Sequence, residues 1–239
     1  MSAYAPLLAT KGNHMGDPNL IYGVIIFGVG LAVLVFLSVS ILKAGRLSGA
    51  SSVRTAVWLV AGLWLWAASA NAYALITGPE FYWFAPAILM PIVGGTALTF
   101  LPAVAELLRH ISIVRLVGVQ IYRNAGAVFL LAHFAFDHPM SRQFALTAGW
   151  GDVLTGTLAI PVAAAAYWRV RYWQGLVVVW CCIGTADLLI APMMARIYGA
   201  MGADDIPINA IPLFFGPPLG ILLHIIALRA LWLQHKQDA

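Results

Sequence analysis

Apolar residues along this chain occur in long runs that short polar connections separate. A helix needs about 20 residues to cross the roughly 30 Å of hydrocarbon in a bilayer, and seven runs are long enough. They cover residues 20–42, 56–77, 82–107, 111–134, 144–168, 172–196 and 210–234. The pattern predicts an all-α polytopic membrane protein, a bundle of seven transmembrane helices that forms one domain over residues 1–239.

The composition supports lipid as the surrounding solvent. Hydrophobic residues make up 62% of the chain and charged residues only 9%, whereas about 25% of the residues in a soluble domain are charged. The net charge of +4 is scattered over the connections, which argues against nucleic acid as a partner. No cleavable signal peptide is expected, because the first apolar run continues to the length of a spanning helix.

The distribution of Lys and Arg predicts the orientation. One set of connections carries Lys43, Arg46, Arg54, Arg109, Arg169, Arg171 and Lys236, and the opposite set carries Lys11, Arg142 and Arg196. Connections rich in positive charge stay in the cytoplasm. We therefore expect the N-terminus outside and the C-terminus in the cytoplasm, in a multi-pass protein of a bacterial inner membrane.

Several polar and ionisable residues fall inside the expected spans. A helix rises about 1.5 Å per residue, which places Asn71, Arg123, Asp152 and Asp187 at similar depths in the outer half, with His224 nearer the midplane. An unpaired charge at the bilayer centre costs at least about 2.5–3.5 kcal/mol. We therefore expect these residues to face the bundle interior, with Arg123 between the two aspartates.

Small residues share the helix faces of these polar groups. They are Gly149, Thr155, Gly156 and Ala159 with Asp152, Gly184 and Ala191 with Asp187, Gly220 and Ala227 with His224, and Ala67 and Ala68 with Asn71. Small residues mark the faces where membrane helices approach closely. The pattern again predicts that the polar groups meet inside the bundle.

The cluster has two interpretations. Arg123 could simply neutralise the aspartates and fix helix packing, or the cluster could line an outward-facing polar cavity for a small polar solute, an ion or a proton. In the second case Arg123 supplies fixed positive charge, Asp152 and Asp187 supply exchangeable protons or cation ligands, and His224 acts as a proton relay or gate. Pro217 and Pro218 predict a broken last helix beside the cavity.

A second group lies near the expected cytoplasmic end. Glu106, Arg115 and Arg229 are each one or two turns from the inner boundary. We expect them to form a structural network of ion pairs with some snorkelling of the long side chains.

The string GWGD, at Gly149 to Asp152, resembles the G-x-G-D motif of intramembrane aspartyl proteases. The resemblance covers four residues and implies a hydrolase in which Asp152 and Asp187 share a proton and activate water. In those enzymes the other aspartate precedes the motif in a Tyr-Asp pair, and a Pro-Ala-Leu motif follows. Here the second aspartate follows, within TADL, and no PAL string occurs.

Other cofactor chemistry receives little support. A topology of seven helices with an external N-terminus is similar to that of microbial rhodopsins, but Lys11, Lys43 and Lys236 all lie outside the spans, which excludes a retinal Schiff base. Zinc hydrolases need several histidines at metal spacing, and His133 and His138 lie far from the level of His224. We predict no metal and no cofactor.

Three function classes therefore stay open. The first is binding or passage of a small polar solute, ion or proton. The second is an intramembrane hydrolase that uses the paired aspartates, with or without a metal, and the third is a non-catalytic sensor or assembly subunit. Whether the chain is an enzyme, and which oligomeric state it adopts, do not follow from the sequence.

Overall fold

The computed structural model describes residues 18–77, 84–135, 141–198 and 206–238. All regular structure in these ranges is helical. The α-helices are α1 (Pro18–Leu47), α2 (Ala50–Thr77), α3 (Phe84–Leu98), α4 (Pro102–His110), α5 (Ile113–Val119), α6 (Ala127–Ala135), α7 (Arg142–Tyr167), α8 (Trp173–Tyr198) and α9 (Ile206–Asp238). A 3₁₀ segment, Gln120–Gly126, joins α5 to α6.

The helices are those of a multi-pass membrane protein. Within the described residues, five spans are long and apolar enough to cross a bilayer, or six if α3 and α4 form one bent span. The 26 residues of α7 are long enough to cross as well. Asp152 and several Gly and Thr residues make this helix less apolar than the other long helices. The count of seven spans and the orientation of the termini stay predictions.

The third apolar run does not form the single helix predicted over 82–107. The helix axis bends by 85° between α3 and α4. Proline disfavours helical backbone in the residue before it, and Leu101, before Pro102, has extended angles of φ −65° and ψ 134°. The short helix α4 therefore turns away from the axis of α3.

The fourth apolar run, predicted as one helix over 111–134, is divided into three parts. Ile111 and Ser112 are extended, and α5 begins at Ile113. After seven residues the helix tightens into the 3₁₀ segment, and α6 then continues to Ala135. A 3₁₀ stretch of this length in the middle of a helical span is uncommon.

The last helix, α9, is the centre of the bundle. It packs against α1, α2, α3, α4, α5 and α8. The break predicted at Pro217 and Pro218 is wrong, because α9 is helical without interruption through both residues. Each proline removes one N–H donor, and packing on several sides allows a membrane helix to tolerate that loss.

One end of the bundle brings together the α1–α2 turn and the end of α4. Gly49 has a φ of +102°, which lets α2 start only three residues after α1 ends. A hydrogen bond of 2.9 Å joins Ser48 Oγ to His110 Nδ1. The C-terminal end of α1 and the N-terminal end of α5 therefore lie at the same end of the molecule.

Candidate functional site

Arg123 is a buried cation in the 3₁₀ segment. Only 1% of its side chain is exposed. Its Nε donates to Asp152 Oδ1 at 2.8 Å, and one terminal nitrogen, Nη2, donates to Asp187 Oδ2. The other, Nη1, donates to the carbonyl oxygen of Gly184 at 3.2 Å. The guanidinium thus joins the middle of one span to α7 and to α8, and we call Arg123, Asp152 and Asp187 the triad.

Glycines make room for the triad. A Cβ on Gly126 would lie 2.7 Å from Asp152 Oδ2, and one on Gly151 would lie 2.5 Å from Asp187 Cγ. Real Cβ atoms do not approach other atoms this closely. The carboxylates can reach the guanidinium only because the neighbouring backbone carries no side chains, as expected where membrane helices approach closely.

The predicted interior face of α7 is confirmed. Gly149, Thr155, Gly156 and Ala159 are all buried. Asp152 is 22% exposed and Asp187 13% exposed, whereas the arginine between them is covered.

His224 lies beside the triad but makes no hydrogen bond to it. Its ring is fully buried and packs edge-on against Trp180, with 4.7 Å between ring centroids. A Cβ on Gly184 would lie 2.5 Å from His224 Cε1, so the ring lies directly against the α8 backbone. Among the residues that the structure describes, neither ring nitrogen has a hydrogen-bond partner.

Two further buried polar residues lie close to these groups: Gln120, which the sequence reasoning missed, and Thr155, which it named only among the small residues of the α7 face. Gln120 donates from Nε2 to the carbonyl oxygen of Gly220 at 3.2 Å, and its Oε1 has no partner within the described ranges. Thr155 is fully buried, and its hydroxyl also has no hydrogen-bond partner among the described residues. A Cβ on Gly184 would lie 2.9 Å from Thr155 Cγ2. A signal for Gln120 was present, since it precedes Arg123 by three residues.

A cavity of about 570 Å³ ends on Arg123 and Asp152 of the triad. Residues of α1, α2, the 3₁₀ segment, α6, α7, α8 and α9 line it, and its charged residues are Arg123 and Asp152. The rest of the wall is almost wholly apolar, with Phe27, Leu31 and Phe129 as examples. The prediction of a polar cavity is therefore wrong, because the polar groups form only one end of it.

Asn71 cannot be placed, since its side chain lies outside the described residues. Ala67 and Ala68, which share its helix face, line the cavity. The role predicted for Asn71 stays a prediction.

The expected network of Glu106, Arg115 and Arg229 does not form within the described residues. Glu106 instead pairs with Arg109 at 2.5 Å and lies 3.6 Å from His110. The bend before α4 places Glu106 on a short helix where its partners, Arg109 and His110, are three and four residues ahead. The Arg229 guanidinium lies over two aromatic rings.

The arrangement of the triad differs from that of the two aspartates in an aspartyl protease. The guanidinium of Arg123 lies between the two carboxylates and binds both. In a shared-proton dyad the two carboxyl groups are in direct contact. Here each carboxylate binds Arg123 instead. Over the described residues, no group of three or more His, Cys, Asp and Glu side chains is arranged to hold a metal ion.

Comparison with known proteins gives one match. No curated protein and no solved structure matches the chain. A family model described as a domain of unknown function (DUF8737) matches residues 82–232. The triad and His224 lie inside this range, whereas α1 and α2, which form one wall of the cavity, precede it. Since the match covers more than half of its length, the chain belongs to the DUF8737 family.

Proposed function

We propose that this protein binds a small solute inside the membrane, in the cavity that ends on Arg123 and Asp152. The observation that carries the proposal is the combination of apolar walls with one charged end. Ligand pockets in proteins have volumes of about 300–1,000 Å³ and a few polar groups that orient the ligand. A cavity of about 570 Å³ fits that description. The sequence favoured a small polar solute, and the apolar walls favour one with an apolar body and a single polar group.

The charges of the triad indicate which polar group the site would take. One guanidinium faces two carboxylates, so with both carboxylates ionised the triad carries one excess negative charge. Asp152 lines the cavity, and its Oδ2 accepts no hydrogen bond from the residues described. The site would therefore favour a cationic group or a strong hydrogen-bond donor, such as an ammonium group.

The same cavity offers a route from the lipid. Phe27 and Leu31 line it and are 63% and 42% exposed, and exposed apolar side chains of a spanning helix face hydrocarbon. A solute with an apolar body could enter between helices from the bilayer. The orientation expected from Lys and Arg, in a bacterial inner membrane, puts the triad in the outer half.

A matched series of ligands tests the binding proposal. Purified protein in detergent would be titrated with an alkyl ammonium, an alcohol and a carboxylate of the same chain length, and binding would be followed by thermal unfolding. We expect the ammonium to stabilise most and the carboxylate least. Asp152→Asn should abolish this preference, and equal stabilisation by all three compounds would disprove the proposed role of the triad.

Two glycines of α1 provide a control for the cavity itself. Gly30 lines the cavity and Gly28 does not, and a Cβ at either position meets nothing within 4 Å. Gly30→Leu should occupy part of the cavity and weaken ligand stabilisation, whereas Gly28→Leu should retain it. A loss in both variants would place binding elsewhere.

Passage of a proton or ion is the second candidate. It is favoured by the unpartnered polar atoms of Gln120, Thr155 and His224, which continue the polar layer from the triad into the bundle. Buried polar atoms without protein partners are commonly satisfied by internal water. In proteoliposomes loaded with a pH-sensitive dye, this candidate predicts proton entry that His224→Phe abolishes. Proton flux equal to that of empty liposomes would exclude it.

The predicted orientation can be tested separately. A cysteine at Ser2 should react with an impermeant label from outside, and one at Ser51 should be shielded. The background for both should carry serine at Cys181 and Cys182. The reverse pattern would move the triad to the cytoplasmic half, without affecting the cavity.

A further inference from the structure

A second concave surface lies between α1 and the α5 span, and it adjoins the cavity of the triad at Val29, Val33 and Tyr122. Ala32 and Phe36 line it on one side, and Arg115 and Gly118 on the other. We call it the α1–α5 groove. Nothing lies within 4 Å of a Cβ placed on Gly118, and Ala32 is exposed, so the small residues leave open space between the two helices.

Arg115 is the charged residue of this groove, and no carboxylate within the described ranges pairs with it. None of the ion pairs among the described residues includes it. The acidic residue expected to pair with it, Glu106, binds Arg109 and His110 instead. A half-buried guanidinium at the edge of the hydrocarbon needs an anion or water to compensate its charge.

The position of Arg115 specifies what kind of anion can reach it. It lies in the first turn of α5, five residues after His110. His110 is bonded to Ser48 in the connection at that end of the bundle. Lys43, Arg46 and Arg54 belong to the same end, so the local charge is positive. From Arg115 the groove runs towards Val29 and Tyr122 along apolar side chains.

We propose that the α1–α5 groove binds an anionic phospholipid. The phosphate would pair with the Arg115 guanidinium, and one acyl chain would lie over Ala32 and Gly118. Basic pockets between membrane helices bind anionic headgroups in this way. The proposal does not depend on the triad, and the groove meets its cavity only at the end away from Arg115.

Native mass spectrometry of the purified full chain tests the proposal. Protein would be incubated with phosphatidylglycerol or with phosphatidylcholine of the same acyl chains, and retained lipid would be counted. We expect phosphatidylglycerol to be retained in preference. Arg115→Gln should weaken its retention about fivefold. Arg54→Gln, which removes an exposed arginine from the same end of the bundle, should weaken retention much less.

A second variant tests the groove independently of the charge. Gly118→Leu keeps Arg115 but fills the space for the acyl chain, so it should reduce phosphatidylglycerol retention as well. Equal retention of both lipids, equal effects of Arg115→Gln and Arg54→Gln, or full retention in Gly118→Leu would each overturn the proposal. A dimer that Gly118→Leu dissociates, with no lipid retained, would overturn it in favour of a second copy as the occupant.

Discussion

Arg123 and Arg229 show two different ways of holding a cation inside this bundle. Arg123 is almost fully buried, and its three hydrogen bonds go to two carboxylates and one carbonyl. The Arg229 guanidinium lies 4.6 Å from the ring centroid of Phe100 and 4.4 Å from that of Trp232. Its Nε has no hydrogen-bond partner among the described residues. One cation is neutralised by opposite charge, and the other is stabilised by aromatic faces.

The difference follows from the path of the chain. Arg123, Asp152 and Asp187 lie on helical spans that run along the bundle, so equal depth in the sequence becomes proximity in space. Glu106 was an equally plausible partner for Arg229 by depth. The 85° bend before α4 removes it from that level and leaves the aromatic residues as neighbours of the arginine. Matched depth failed to predict the surroundings of Arg229 because the chain bends between α3 and α4.

The largest expected effect comes from removing the cation of the triad. Arg123→Leu leaves two carboxylates in a poorly solvated site without a partner, and it should lower the free energy of unfolding by about 3–5 kcal/mol. Thermal unfolding in detergent would measure the loss. Adding Asp152→Asn to this variant should recover part of the lost stability. Tolerance of Arg123→Leu would contradict the view that charge pairing stabilises this region.

Removing one carboxylate should cost less. Asp187→Asn retains the pair between Arg123 and Asp152, and it should destabilise by about 1.5–3 kcal/mol, the range for one hydrogen bond to a charged group. The same unfolding assay would compare it with Arg123→Leu. A loss as large as that of Arg123→Leu would show that the two carboxylates act as one unit.

The next largest loss of stability is expected when a glycine beside the triad is replaced by a larger residue. In Gly151→Ala the new methyl group would overlap the Asp187 carboxylate, and overpacking of this kind costs about 1–3 kcal/mol. Gly62→Ala on α2 is the matched control, because a Cβ there meets nothing within 4 Å. Equal unfolding temperatures for the two variants would mean that the carboxylate moves aside without cost.

The smallest effect is expected at the aromatic site. Arg229→Leu removes two cation–π contacts, each worth about 0.5–1 kcal/mol because the Phe100 and Trp232 rings are exposed. It also removes a nitrogen that has no partner among the described residues, which partly offsets the loss. We expect destabilisation well below that of Arg123→Leu in the same assay. Similar losses at Arg123 and Arg229 would remove the contrast between the two regions.

The sequence predicted the part of the site that depends on regular helix geometry. Apolar runs located the helices, and helix rise placed Arg123 level with Asp152 and Asp187. The bend at Leu101 and the 3₁₀ segment depend on local backbone competition that hydrophobicity does not encode. The cavity was expected to be polar because its polar residues are conspicuous in the sequence, whereas its apolar walls look like any other lipid-facing helix surface.

The 3₁₀ segment couples the length of the span to its rotation. A 3₁₀ helix rises about 2.0 Å and turns about 120° per residue, against about 1.5 Å and 100° for an α-helix. If Gln120–Gly126 wound into an α-helix, the span would shorten by about 3.5 Å and α6 would rotate by about 140° relative to α5. Arg123 lies in the middle of this segment, so its three bonds to α7 and α8 resist both the shortening and the rotation. A ligand that binds Asp152 in place of Arg123 would weaken these bonds. Binding at one end of the cavity would then favour a change in the length and rotation of the whole span.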